Sequence, residues 1–130
     1  MPIRIVRLGS PRAADEGVRI GTVRRPPRGV PKAEFARRDY YDTWLPTLAP
    51  SVEAMQQAHA ATTPAHWEAF GRRYRNEMKR PDAAHAIALL AALSAHSNFS
   101  VGCYCEDESR CHRGLLRLLL AVAGARIVDG

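Results

Sequence analysis

The chain has 130 residues, 46% hydrophobic and 25% charged, with a formal net charge of +6. That length favours one domain over 1–130 and buries enough surface to require neither a disulfide nor a metal for stability. No apolar run reaches the ~18 residues of a membrane span, the first residues lack the apolar core of a secretory signal, and an odd number of cysteines argues against a secreted disulfide framework; the expected location is cytoplasmic, with no membrane partner.

In chain order, "IRIVRL" (Ile3–Leu8) alternates apolar and basic residues and predicts a strand. "VRIGTVR" (Val18–Arg24) predicts a second, ending at Arg24-Arg25 before the Pro/Gly-rich loop "PPRGVPK". "YYDTWLP" (Tyr40–Pro46) reads as a loop that packs its aromatics on the core, or as a binding or dimer surface. Pro50-Ser51 starts a short helix to about Ala60. Thr63 is the expected N-cap of the next, with Pro64 at its first position. Trp67, Phe70, Tyr74 and Met78 then recur at helical spacing, an apolar stripe that reads as core.

Asp82 is the expected N-cap of a third helix, apolar nearly all round and therefore expected to be buried. "FSVGCYC" (Phe99–Cys105) predicts a strand. The acidic loop after it leads to a helix starting near Cys111 and ended by Gly124, and "ARIV" (Ala125–Val128) predicts a last strand. The expected fold class is α/β: a mostly parallel sheet flanked by helices, with a C-terminal βαβ unit.

The positive charge is concentrated. Residues 1–40 hold ten Lys/Arg against four acids, and the remaining residues balance at nine of each. This pattern admits an anionic partner, nucleic acid included, and equally a solvated arginine-rich surface.

All three cysteines lie in "CYCEDESRC", Cys103 to Cys111, followed by His112 and Arg113. Ligands of open α/β sheets bind beyond the carboxyl ends of the strands, and a helix start favours an anion or a thiolate. Cys111, His112 and Arg113 are accordingly the expected catalytic group, with Cys111 a nucleophile. Arg24, Arg28, Cys105, Glu106 and Arg110 are the expected ligand-binding residues. The spacing does not match the Cys-x5-Arg loop of cysteine phosphatases, since Arg110 lies seven positions after Cys103 and five after Cys105.

Cys103, Cys105, Cys111 and His112 also form a zinc-type ligand set, although one residue, not two, separates the first pair. On that spacing no metal and no cofactor are assigned. Cys103 is read as core, Cys105 as borderline, and Cys111-His112-Arg113 as the working face.

Four segments, "DEGVRIGTVRRPPRGVPK", "DTWLPTLAPS", "HWEAFGRRYRNEM" and "CYCEDESRCHRGLL", together resemble the DUF488 family, in its YeaO-like branch, over about Ile3 to Val128. The family is named for having no established function. The resemblance implies a compact α/β domain and makes the Cys111-His112-Arg113 triplet and Arg24 family features. Two departures stand out. The chain reads Val23-Arg24 and then Pro26-Pro27-Arg28-Gly29, without the acid and tryptophan of that branch, and it has Cys105 where the wider family has an acid two residues after Cys103.

The leading expectation is a small anionic or phosphorylated ligand held before Cys111. The alternatives are a nucleic-acid module using the basic third and a zinc module using the Cys/His set. The oligomeric state stays open, a dimer included.

Overall fold

The computed structural model describes residues 2–105 and 111–128. Its centre is a four-stranded sheet of β1 (Ile3–Arg7), β2 (Val18–Gly21), β3 (Thr43–Trp44) and β4 (Phe99–Cys103), in the order β1-β4-β2-β3. Every pairing is parallel; Ile5 lies opposite Val101 and Ile20 opposite Val101 from the other side. Parallel neighbours need crossovers: that from β2 to β3 contains only a 3-10 turn, Lys32–Glu34, and the chain after β3 carries the helices. They are α1 (Val52–Ala60), α2 (Pro64–Glu77), α3 (Pro81–Leu93) and α4 (His112–Val122).

β4 lies between β1 and β2, and all five of its residues are buried. This is the continuous burial expected of a central parallel strand. Gly102 is required there. A Cβ at that position would sit 2.5 Å from the Val6 carbonyl oxygen, so only glycine lets β1 approach at this point.

Helix starts follow the expected capping chemistry in two of four cases. Ser51 caps α1 by accepting from the Ala54 N–H at 3.1 Å, and Thr63 caps α2 by accepting from the His66 N–H at 3.2 Å. α3 differs: its N-cap is Arg80, Pro81 takes the first position, and Asp82 lies in the first turn, because proline's fixed φ starts the helix two residues early. α3 is also less buried than its composition suggests. Ile87 and Leu90 enter the core, while Leu89 and Leu93 are exposed.

Four expected strands are shortened: β1 by one residue, to Arg7, β4 by two, to Cys103, and two others by more. β2 stops at Gly21 because the chain beyond it leaves the ladder towards Pro26-Pro27, and proline cannot donate to one. "ARIV" is reduced to one parallel bridge, Ile3 to Ile127, held by Ile3 N–H to Arg126 O and Val128 N–H to Ile3 O, each 2.8 Å. Conversely, Thr43-Trp44 supplies the edge strand β3, which period-2 reading of this aromatic loop misses.

The main core joins Ile3, Ile20 and Val101 of the sheet to Leu48, Phe70, Tyr74, Leu116 and Leu120, which bears out the α2 stripe. A second cluster gathers Leu8, Val23, Tyr41, Cys103 and Cys111. Tyr41 of the aromatic loop is therefore core, lying over Gly21, where a Cβ would meet its ring at 2.3 Å.

The basic third conceals a buried ion pair. Arg19 is 0% exposed. Its Nε donates to Glu16 Oε2 at 2.6 Å and its Nη2 to Oε1 at 2.9 Å. Its Nη1 donates to the carbonyls of Ser10 and Asp39 at 2.8 and 2.7 Å. Ser100 of β4 completes the knot by donating to Glu16 Oε2 at 2.6 Å. Asp39 presents its carbonyl from a left-handed backbone, φ 63°, which aspartate tolerates better than most residues.

Candidate functional site

The sheet's carboxyl edge opens on a cavity of about 760 Å³, within the roughly 300–1,000 Å³ of small-molecule sites. Three kinds of residue line it. Met55 and Ala58 of α1, Trp67 and Phe70 of α2, and Pro26, Pro27 and Pro50 form apolar walls. Arg24, Arg25 and Arg28 come from the loop after β2. Cys103, Tyr104 and Cys105 from the end of β4, with Cys111 and His112 from the start of α4, form the floor. Trp67 and Phe70 meet edge to face, ring centroids 5.8 Å apart, and so serve the core and the cavity together.

The floor follows from the topology. β4 ends at Cys103, and Cys111 returns as the N-cap of α4. The two sulfurs come within 2.6 Å of each other, both buried. The expected division of Cys103 from Cys111 is therefore revised: Cys103 is core, as expected, yet its thiol lies against the Cys111 thiol. Cys105 is exposed and lines the cavity.

His112 is buried under Tyr74, with ring centroids 5.6 Å apart. Its Nε2 lies 2.6 Å from the Thr22 carbonyl oxygen. A carbonyl only accepts, so Nε2 carries the proton and Nδ1 carries a lone pair. That Nδ1 is 3.6 Å from Cys111 Sγ. Burial is the main force on this ring, pushing its pKa down to about 4 against the opposing pull of the Thr22 carbonyl. His112 is thus neutral near pH 7.

Among the thiols, the hydrogen bond with Cys105, together with burial, pushes Cys103 up to about 11, while that with Cys111 pulls the other way. Hydrogen bonds with Cys103 and Cys105, then burial, push Cys111 up. Hydrogen bonds from Cys103 and Cys111 pull Cys105 down, aided by the charge of Arg113.

The arginines divide by role. Arg24 lines the cavity as expected, but its guanidinium donates to the carbonyls of Pro50, Ala49 and Pro46 at 3.0, 3.2 and 3.3 Å. It ties the loop after β2 to the turn before α1. Arg113 is buried, donates to the Val6 carbonyl at 3.1 Å and is absent from the cavity lining, so its fork does not face a ligand there. Arg28 and its neighbour Arg25 are exposed at the cavity. Glu106 and Arg110 lie outside the described residues.

Sequence reasoning missed Trp67, His59 and Tyr104 as cavity residues. Trp67 had a signal: it opens the α2 stripe, where a core-facing side chain meets the helix's exposed end. Tyr104 donates to the Arg25 carbonyl at 2.8 Å, a contact that no pattern announces.

Comparison with known families gives one match. A family model described as the active DUF488-N3 subclade, DUF488-N3a, matches residues 3–124; the YeaO-like branch is not part of that description. No curated protein and no solved structure matches.

Proposed function

The chain belongs to the DUF488 family, and from that premise we propose that it binds a small molecule with an apolar, planar body and an anionic group in the cavity at the sheet's carboxyl edge. The observation that carries this reading is the pairing of surfaces in one cavity. Trp67, Phe70 and Met55 offer apolar faces, and Arg25 and Arg28 offer exposed guanidinium groups beside them. Aromatic faces take a flat body, and the planar guanidinium fork takes a carboxylate, phosphate or sulfonate. The thiol that such a ligand meets is Cys105, since Cys103 and Cys111 are buried. Cys111 and neutral His112 support from beneath. The description of the family model as active supports chemistry at this floor over a purely scaffolding role.

The nucleic-acid reading loses much of its charge. Arg19 is inside, Arg12 is bonded to Asp42 at 2.7 and 3.0 Å, Arg4 to Asp15 at 3.1 Å, and Arg24 to carbonyls. A basic sequence third is not a basic face.

Anilinonaphthalene sulfonate has the required shape and charge and is fluorescent. It is expected to bind the native chain at one saturable site. Arg28→Ala and Trp67→Ala are each expected to weaken binding about tenfold, equivalent to ~1.4 kcal/mol, with unchanged circular dichroism. Binding that is unsaturable, or indifferent to both substitutions, refutes the reading.

A further inference from the structure

The floor of the cavity has a property that ligand binding does not use. Cys103 Sγ, Cys111 Sγ and His112 Nδ1 all lie within 4.8 Å of one another, and all three residues are buried. We propose that Cys103, Cys111 and His112 bind a zinc-type thiophilic cation, with Cys105 as fourth ligand on the cavity side.

The donor set is the first argument. Three sulfurs and one imidazole nitrogen make the Cys3His combination of tetrahedral zinc sites. Cys105, two residues past Cys103 and exposed at the cavity, lies outside that 4.8 Å group and supplies the fourth sulfur by turning inward. A single residue between Cys103 and Cys105 is not the usual paired-cysteine spacing. The structure shows why that matters little: the set is assembled from a strand end and a helix N-cap, not from one knuckle.

The orientation of His112 is the second argument. Metal-ligating histidines commonly donate their other ring N–H to a backbone carbonyl, which fixes the tautomer. His112 has this arrangement, Nε2 on Thr22 O at 2.6 Å with Nδ1 turned towards Cys111 Sγ at 3.6 Å. Tyr74 packs on the ring and holds it there.

Charge is the third argument. A divalent ion displaces the three S–H protons, leaving a site of net −1. The buried Arg113 guanidinium beside the cluster offsets that charge, which gives the triplet's arginine a role other than gripping a ligand. The sulfurs of Cys103 and Cys111 must part on binding. Metal–sulfur bonds of about 2.3 Å in a tetrahedron set sulfurs roughly 3.8 Å apart, against 2.6 Å here, a movement within reach of small side-chain rotations.

The test uses the whole chain, purified under reductant without added metal. Elemental analysis is expected to find one zinc per chain. Exchange with Co²⁺ is expected to give the near-ultraviolet sulfur-to-cobalt band and the visible bands of tetrahedral cobalt. Cys105→Ser, at an exposed position, is expected to shift the visible bands and weaken Co²⁺ binding at least tenfold while the fold persists. If Cys103→Ser or Cys111→Ser fails to fold, the wild-type and Cys105→Ser titrations still decide. A reduced wild-type chain with no metal and no cobalt–sulfur band overturns the proposal, as does a Cys103–Cys111 disulfide persisting in the freshly reduced chain. The sulfonate dye reads the cavity independently: dye binding without metal sinks only the metal site, and metal without dye binding sinks only the ligand reading.

Discussion

Strands β2 and β4 carry a buried polar cluster at each end, and the two are built on opposite principles. At the amino end, Glu16, Arg19 and Ser100 are closed on one another. Arg19 makes four hydrogen bonds, two to a carboxylate and two to carbonyls. At the carboxyl end, Cys103, Cys111 and His112 meet through soft, weakly hydrogen-bonding atoms, beside a cavity and an exposed third thiol. The first cluster answers its own charges and needs nothing from outside. The second collects nucleophilic atoms beneath a cavity, with one thiol, Cys105, exposed to it. Burial of polar atoms is therefore not by itself a sign of function; what matters is whether the group is already complete.

The largest expected effect comes from breaking the closed cluster. Arg19→Met leaves Glu16 as a buried carboxylate without its cation. Removing one partner of a buried pair costs ~3–5 kcal/mol, a large share of the stability of a domain this size. The urea midpoint should fall accordingly. In the fraction that remains folded, affinity for the sulfonate dye should be unchanged, because the cluster is at the far end of the strands. A loss of dye affinity in folded Arg19→Met would mean that the two ends are coupled, and the comparison would fail.

A smaller effect is expected from pH. Burial acts to raise the pKa of Glu16, but the hydrogen bonds from Arg19, Ser100 and the Ala13 N–H, with the charge of Arg19, outweigh it and bring the value below 4.5. Asp42 is likewise lowered: burial is outweighed there by the hydrogen bonds from Arg12 and from the Arg19 N–H. A carboxylate whose folded pKa is depressed adds stability that is complete above its unfolded value. That stability is lost as pH falls through the folded value. Thermal unfolding should therefore be flat near neutrality and decline below about pH 4.5. Glu16→Gln should start lower and decline less steeply over the same interval. An equally steep acid limb in Glu16→Gln would remove Glu16 from the account.

The contrast between the clusters also explains what the sequence disclosed. Helices were readable because their signals are local: Ser51 and Thr63 cap, Pro64 opens, Trp67 to Met78 repeat at helical spacing, and Gly124 follows the end of α4. The strand-to-helix site was readable because topology fixes it, and Cys111 and His112 are indeed at its floor. The closed cluster was hidden because its partners are far apart in sequence. Ser100 is eighty-four positions from Glu16, and only the β2–β4 register brings it there. Arg19 in a run of arginines looks like surface, and nothing local marks it as a cation that turns inward. Arg113, expected in the catalytic group, is buried, donates to the Val6 carbonyl and is not among the cavity-lining residues, for a related reason. A residue at a helix start can point into the cavity or under the sheet, and spacing does not distinguish them. Cys103 and Cys111 were separated by element, when the β4–α4 connection in fact folds their sulfurs together.

The smallest predicted effect tests the open end on its own terms. Tyr104 donates its hydroxyl hydrogen to the Arg25 carbonyl at 2.8 Å and thereby holds the loop that carries Arg25 and Arg28 against the end of β4. Tyr104→Phe keeps the ring and its edge contact with Tyr40, 6.3 Å between centroids. It deletes one partly solvated hydrogen bond, worth ~0.5–1 kcal/mol, so the urea midpoint should barely move. Dye affinity should fall severalfold nonetheless, because the cationic loop is no longer fixed over the cavity and its ordering must come from the binding energy. At the closed cluster a substitution of this kind would weaken stability and leave binding alone. At the open end the order is reversed, and an equal loss of both in Tyr104→Phe would place this loop with the core instead of the site.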